Sequence, residues 1–424
     1  MKLDSYWLDT APAGVYASEG PAQGSFDVAV IGGGFTGLSA ALAFGRRGAS
    51  VAVLDAGRMG GGASGRNGGQ CNTGVAQDYA ALRQQLGVER AQGCYRAYAA
   101  AVDTVERLIR EERIECDYLA SGKLKLASKP HHLEHLQRTA ELIHREVDPD
   151  VEIIGRDRIC SEVDSDSFFG GLLQKRGGQM HMGKFAVGLA NAAARHGAQL
   201  FEHAAVTSIE KDGTGYRVES SRGTLRAQQV LIATGPSRHG PFSWYRRRLA
   251  PVGSFIVVTE PLPEAALARL FPKRRSYTTS RLMHNYFRVT SDSRLLFGGR
   301  ARFTASEQPS DEKSGRILRA NLTQLFPSLA GARIDYCWGG LVDITADRLP
   351  RAGQHGGIWF SMGYSGHGTQ MSTHMGQVMA EVMSGNPAAN PWRDFDWPAI
   401  PGHTGKPWFL PLVGAYYQIK DVFY

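Results

Sequence analysis

A glycine turn set between a strand and a helix constrains this chain more than any other feature. Residues 26–31 are a short β-branched run ending at Gly32, residues 36–47 read as an Ala- and Leu-rich helix stopped by Gly48, and residues 51–54 read as a second strand. The turn is Gly32-Gly33-Gly34-Phe35-Thr36-Gly37, a GxGxxG. That pattern is weak alone, and the strand before it and the helix after it give it meaning. Gly32 permits the tight turn, Gly34 lets a pyrophosphate approach the backbone, and Gly37 lets the helix pack close to the strand. The phosphates then face the helix N-terminus, where Phe35 and Thr36 begin the helix and free N–H groups favour negative charge. Asp55 closes the second strand, where a carboxylate accepts hydrogen bonds from ribose hydroxyls and argues against a 2′-phosphate. The bland alternative, a helix-packing glycine motif with a surface Asp, leaves the strand–helix–strand setting unexplained.

Glycine is abundant, with 51 in 424 residues, and much of it gathers in two further loops. The second loop runs from Gly60 to Gln70 and reads GGGASGRNGGQ. Few side chains intervene, so its backbone can lie flat against a ring system. Ser64, Arg66 and Asn67 supply donors for pyrophosphate or flavin oxygens, with Gly69 and Gln70 closing the loop. A mobile surface loop is the competing reading. The third loop is Gly363-Tyr364-Ser365-Gly366-His367-Gly368-Thr369, just ahead of a helix expected at 369–383. That helix N-terminus carries partial positive charge and suits the negative edge of a reduced flavin. The His367 side chain reads equally well as an ordinary capping or core histidine.

The remaining pattern describes an α/β fold. Helices are expected near 88–112, 131–145, 184–196 and 311–325. Strands are expected near 151–154, 199–203, 206–211, 216–220, 230–233 and 358–361. Between Pro251 and Gly299 strand-like runs dominate, at 252–259, 282–290 and 295–297, with Ser291-Asp292-Ser293-Arg294 as a hairpin turn. We expect a Rossmann-like FAD-binding domain of the glutathione-reductase type at 25–85, 150–250 and 335–395. An interleaved antiparallel-sheet substrate domain would take 86–149 and 251–334, leaving 1–24 as an extension and 396–424 as a tail. The tail is aromatic, from Pro407-Trp408-Phe409 to Tyr424, and Pro411 and Gly414 are expected to interrupt any amphipathic helix there, so packing on its own domain is favoured over a membrane surface.

The chain carries 48 − 40 = 8 excess positive charges, but the basic residues are scattered, which argues against a nucleic-acid partner. Five Cys with no CxxC spacing suggest free thiols, no structural zinc and no other metal site. No signal core or membrane-spanning run is visible, so a cytoplasmic enzyme is the working expectation.

With the three loops in hand, the sequence resembles the D-amino-acid oxidase superfamily of FAD amine oxidoreductases, and within it the gamma-glutamylputrescine (gamma-glutamylpolyamine) oxidoreductase group. The resemblance covers nearly the whole chain. It rests on Ser5-Tyr6-Trp7-Leu8-Asp9-Thr10-Ala11-Pro12, the stretch from Gly62 to Gly69, Ala233-Thr234-Gly235, Trp338-Gly339-Gly340 with Val342-Asp343-Ile344-Thr345, and the stretch from Gly363 to Gly368. It implies that Val206 presents its backbone to the adenine, that Thr234 and Gly235 lie near the pyrophosphate, and that the inserted sheet roofs the flavin. Two departures stand out. The sarcosine-oxidase branch has a substrate-binding Lys where this chain has Gln370, and a Lys linked to oxygen use where this chain has Leu296. The first departure suits an amine whose carboxylate is remote from the reacting carbon. The second leaves oxygen or another electron acceptor open. Cys337 lies where sarcosine oxidases place their flavin-linking Cys, although a buried free thiol is the commoner state of such a residue, so FAD is expected to be non-covalent.

The chemistry implied is oxidation of a small amine, with hydride passing to flavin N5 and the imine hydrolysing to an aldehyde. Candidates for the substrate face lie on 282–288. Period-2 alternation puts His284, Tyr286 and Arg288 on one face and Met283, Asn285 and Phe287 on the other. The sequence does not say which face meets the flavin; His284 and Tyr286 are the favoured catalytic candidates, with Trp338, Tyr364 and Gln370 as further pocket candidates. The alternatives are a D-amino-acid-type dehydrogenase with a quinone acceptor, an FAD domain acting on modified tRNA, and a binding module with a structural flavin.

Overall fold

The computed structural model describes all residues except 238–239, 300–307, 406 and 424. Two large sheets organise them. The first has a parallel core in the order Ile358–Met362, Gly223–Ile232, Gly24–Ile31, Val51–Leu54, Gln199–Phe201. Arg351–His355 pairs antiparallel at one edge, and Val206–Asp212 with Gly215–Ser220 forms a meander on Gly223–Ile232. The central strands are apolar on both faces, as a sheet covered on both sides requires. Helices Phe35–Arg46 and Gly368–Met383 pack tightly together: a Cβ at Gly376 would stand 2.5 Å from the Thr36 carbonyl oxygen. Because these strands run the same way, the glycine turn, Asp55, Ala233-Thr234-Gly235 and Gly363 all leave the sheet at its carboxyl edge, where such folds bind ligands.

The second sheet runs Ile334–Ile344, Ala250–Pro261, Arg294–Gly299, Asn285–Val289, Ser276–Thr279, Lys123–Leu126, Gly171–Gln174, Glu152–Ile154. It is antiparallel except where Ser276–Thr279 meets Lys123–Leu126. One face carries Phe255, Val257, Tyr277, Phe287, Phe297 and Cys337 into a core with Leu318, Leu322 and Phe326 of helix Gln308–Leu325. The other face carries Ile256, Leu296 and Trp338 into the core shared with the nucleotide-binding side.

The segmentation differs from expectation in two places. Glu152–Ile154 and Gly171–Gln174, expected with the first sheet, belong to the second, and so does Ile334–Ile344. Gly171–Gln174 joins that sheet by pairing with Lys123–Leu126, and Ile334–Ile344 by pairing with Ala250–Pro261, partners that local pattern could not assign. Helix Leu410–Phe423 runs through both Pro411 and Gly414, correcting the expected interruption; a proline in the first turn costs no internal hydrogen bond. Its Leu410 packs on Ala250 and Val252, while Trp408, Leu412, Tyr416 and Ile419 stay exposed. No helix among the described residues is long and apolar enough to cross a membrane.

Candidate active site

Three hydrogen bonds between distant segments draw the glycine loops together. The Phe35 N–H donates to Ser64 Oγ at 3.0 Å, joining the first loop to the second. Thr369 Oγ1 donates to Asn67 Oδ1 at 3.2 Å, joining the third to the second. Thr36 Oγ1 and the Tyr364 hydroxyl share a bond of 2.7 Å, joining the first to the third. The loops form one cradle.

The first loop has the geometry its sequence demands. Gly32 sits at φ +109°, and a Cβ there would stand 2.6 Å from the Ala233 carbonyl oxygen. A Cβ on Gly37 would stand 1.9 Å from the Gly32 carbonyl oxygen, so the helix could not approach the strand. Helix Phe35–Arg46 starts at Gly34, which has no side chain to cap it; Ser64 takes the Phe35 N–H, and the rest of the helix N-terminus is left to a ligand. Asp55 accepts the Gly33 and Gly57 N–H groups, both at 2.7 Å. An ionised carboxylate has further lone pairs, so this bracing is compatible with a ribose contact.

In a setting that is otherwise buried, Gly34, Ser64, Arg66, Asn67, Thr234, Gly235, Asp343 and Gly368 keep partial exposure, and Gly366 is exposed. They trace a groove along the carboxyl edge of the first sheet. A Cβ at Gly62 or Gly366 would meet no atom within 4 Å, and at Gly368 only the Tyr364 Cβ, at 3.9 Å. A long groove lined by backbone, starting at one helix N-terminus and ending at a second, fits an extended dinucleotide with a ring system at its far end. His367 caps that second helix by its backbone and sets its ring edge-on to Tyr98, 5.5 Å away. Val206 opens the meander strand Val206–Asp212, beside the expected adenine end. Asp343 had no assigned role in the sequence. Its Oδ2 accepts the Gly363 N–H at 2.6 Å, and burial pushes its pKa up to about 6.

The second sheet roofs the groove, and its register settles which face does so. The Tyr286 ring lies over Gly68, where a Cβ would come within 2.7 Å of it. Arg288 donates to the Gly68 carbonyl at 2.9 Å and to the Met180 carbonyl at 2.7 Å, and its guanidinium lies 4.9 Å from the Trp7 ring centroid. Burial lowers the Arg288 pKa to about 10, and these carbonyls replace its lost water. The face holding Tyr286 and Arg288 therefore meets the cradle, while Phe287 enters the opposite core. His284 precedes the strand, its ring 6.5 Å from that of Tyr286.

Several candidates are committed to holding the cradle. Trp338 is fully buried and donates its indole N–H to the Arg66 carbonyl at 3.0 Å. Arg66 in turn donates to the Gly339 carbonyl at 3.1 Å. The Tyr364 hydroxyl is shared between Thr36 and Ser361. The Gln370 amide donates to the Asn72 carbonyl at 2.6 Å, and the Gln70 amide reaches the carbonyls of Tyr277 and Phe287. Cys337 points to the other side of the sheet, where its Sγ donates to the Asp311 carbonyl and burial pushes its pKa up to about 12. It faces away from the groove, because it neighbours Trp338 on a strand whose side chains alternate.

Residues 27–382 match the profile of the DAO family, described as FAD dependent oxidoreductase. The chain is 32% identical over 401 residues to a gamma-glutamylputrescine oxidoreductase of Escherichia coli (strain K12), covering 93% of this chain and 92% of that one. It is 33% identical over 410 residues to a probable oxidoreductase OrdL of Rhizobium meliloti (strain 1021), covering 95% and 94%. Among solved structures, glycine oxidase from Geobacillus kaustophilus superposes with a TM-score of 0.69 at 23% identity, covering 85% of this chain and 95% of that chain. L-proline dehydrogenase from P. horikoshii gives 0.70 at 20% identity, covering 88% and 98%. The two structures bear on the fold, and the family profile shows that FAD is the cofactor of this family.

Proposed function

Because this chain belongs to the DAO family of FAD-dependent oxidoreductases acting on C–N bonds, we propose that it oxidises a small amine whose carboxylate is remote from the reacting carbon, a gamma-glutamyl polyamine such as gamma-glutamylputrescine. The observation that carries the reading is the commitment of Gln370. Its amide is buried and spent on the Asn72 carbonyl, so it offers no cation to a carboxylate beside the reacting carbon. The 32% identity to a gamma-glutamylputrescine oxidoreductase supports the same class.

FAD, when bound, supplies the two-electron acceptor for the C–H bond next to nitrogen. The protein has the remaining tasks. Gly32, Gly34, Phe35, Thr36 and Gly37 would hold the pyrophosphate with Thr234 and Gly235, and Asp55 the ribose. Ser64, Arg66, Asn67 and Gly69 would line the ring, and the backbone of Gly366, His367 and Gly368 would face its electron-rich edge. The roof of Tyr286, Ile256 and Trp338 excludes water. An alkyl ammonium has a pKa near ~10.4 in water, and desolvation lowers it, so such a roof favours the neutral amine that can give up hydride. His284 and Tyr286 would orient that amine. The imine product is then hydrolysed by water to an aldehyde.

The test is anaerobic mixing of holoenzyme with gamma-glutamylputrescine, free polyamines and amino acids, followed by air. Bleaching of the flavin by the glutamyl polyamine is expected. Bleaching by amino acids alone would refute the substrate class, and bleaching by none would favour a structural flavin. The buried Leu296, standing where related oxidases carry a lysine, favours slow recolouring in air and an acceptor other than oxygen.

A further inference from the structure

Two lysines on the roof have no role in the reading above. Strand Lys123–Leu126 alternates lysine and leucine, which in an isolated strand reads as one wet face. The register gives it a different meaning. Thr278 pairs with Tyr286 on one side and with Lys125 on the other, and Ser276 pairs with Lys123. Leu124 and Leu126 enter the far core. Lys123 and Lys125 therefore share the sheet face of Tyr286, turned toward the nucleotide-binding side, with Lys125 two strands away from Tyr286.

Both lysines are partly buried, and neither ammonium makes a hydrogen bond or ion pair among the described residues. The acidic group that acts on Lys125 is Asp78. That carboxylate is already engaged by His135 Nε2 at 3.0 Å, the Thr139 hydroxyl at 3.3 Å and the Ala81 N–H at 3.2 Å. Desolvation lowers both ammonium groups, Lys123 to about 8. Two desolvated cations without a protein partner are costly, and an anion that arrives with the substrate would offset that cost.

We propose that Lys125 and Lys123 form a carboxylate subsite for the far end of the amine substrate. The distance suits this role. Two strand spacings put Lys125 about 10 Å from Tyr286. In a gamma-glutamyl derivative of a four-carbon diamine, nine bonds separate the reacting carbon from the α-carboxylate, roughly 11 Å when extended. The subsite rests on the amine-oxidation reading and adds the residues that would choose a carboxylated amine over a bare one.

The experiment compares gamma-glutamylputrescine with its decarboxylated analogue, 4-aminobutanoyl-putrescine, in anaerobic flavin bleaching of holoenzyme. The readout is the ratio of half-saturating concentrations. The unaltered protein is expected to favour the carboxylated compound by roughly tenfold or more, the scale of a charged hydrogen bond. Lys125→Met, and more so the Lys123→Met/Lys125→Met pair, should bring the ratio close to one, and Lys125→Arg should keep most of it. Equal use of both compounds by the unaltered protein overturns the subsite while leaving amine oxidation standing. So does a ratio that survives in the double variant. If a Met variant fails to hold FAD, Lys125→Gln takes its place on the same criterion. Bleaching by neither compound overturns the function itself, and the subsite with it.

Discussion

At the scale of single residues, the fold turns on positions where one methyl group has nowhere to go. A Cβ on Gly37 would sit 1.9 Å from a backbone oxygen that cannot move without shifting strand Gly24–Ile31. Gly37→Ala is expected to cost about 1–3 kcal/mol of stability and to lower the flavin content of the purified protein. Denaturant melts and the ratio of flavin to protein absorbance check both effects. Gly93 is the contrast. It lies exposed in helix Val88–Glu111 with open space where a Cβ would stand. Gly93→Ala should raise stability by about 0.5–1 kcal/mol with flavin content unchanged, since only helix propensity is at stake. A stable, fully yellow Gly37→Ala protein would refute the close-packing account.

Among the elements, helix Met182–Arg195 shows how a titratable cap ties pH to stability. His181 Nδ1 accepts the Lys184 N–H at 3.1 Å, so its proton sits on Nε2 and points to Thr10 Oγ1 at 2.9 Å. The Thr10 hydroxyl passes its own proton to the Tyr6 carbonyl. Only a neutral imidazole can serve this chain. Burial, with the nearby Lys184 charge, lowers the His181 pKa from 6.5 to about 4. Between those values the unfolded chain binds a proton that the native state refuses. Stability is therefore full above pH 6.5 and falls as pH drops toward 4, by up to about 3 kcal/mol from this group. His374, lowered to about 4 by burial, adds in the same direction. Thermal melts from pH 7 to 4.5 with FAD in excess should show the decline. His181→Asn, which keeps a cap acceptor without titrating in this range, should flatten it.

For the whole molecule, the groove proposed to hold the cofactor is a seam. One wall is the carboxyl edge of the first sheet, the other is the roof face of the second, and the hydrogen bonds of Arg66, Arg288 and Trp338 stitch them together. A ligand filling that seam binds the native state alone. FAD at a hundredfold its Kd should raise the stability of apoprotein by about 2.7 kcal/mol. FMN at the same concentration should raise it less, because it lacks the adenosine half that Asp55 and the first loop are proposed to hold. Equal stabilisation by the two would sink the assignment of the N-terminal loop.

The first glycine loop was legible because its signals are local. Glycine conformation, a strand before and a helix after, and an Asp at the next strand end all lie within about thirty residues, and each acts through short-range sterics or the helix terminus. The alternation of 282–288 was legible too, but alternation gives two faces and no direction. The direction came from register: Tyr286 lies over Gly68, more than two hundred positions away, while Phe287 enters the opposite core. Pairing also separates Cys337 from Trp338 and sets the segment at 171–174, with 152–154 on its far side, beside Lys123–Leu126. Lys123 and Lys125 mark the limit most clearly. By themselves they read as a solvated edge, and only the pairing of Lys125 with Thr278, and of Thr278 with Tyr286, turns them toward the groove. The chain's own residues determined which ligand could be held, because backbone geometry is written locally. What surrounds the substrate was decided in three dimensions, because strand register sums many weak side-chain preferences that no single stretch contains.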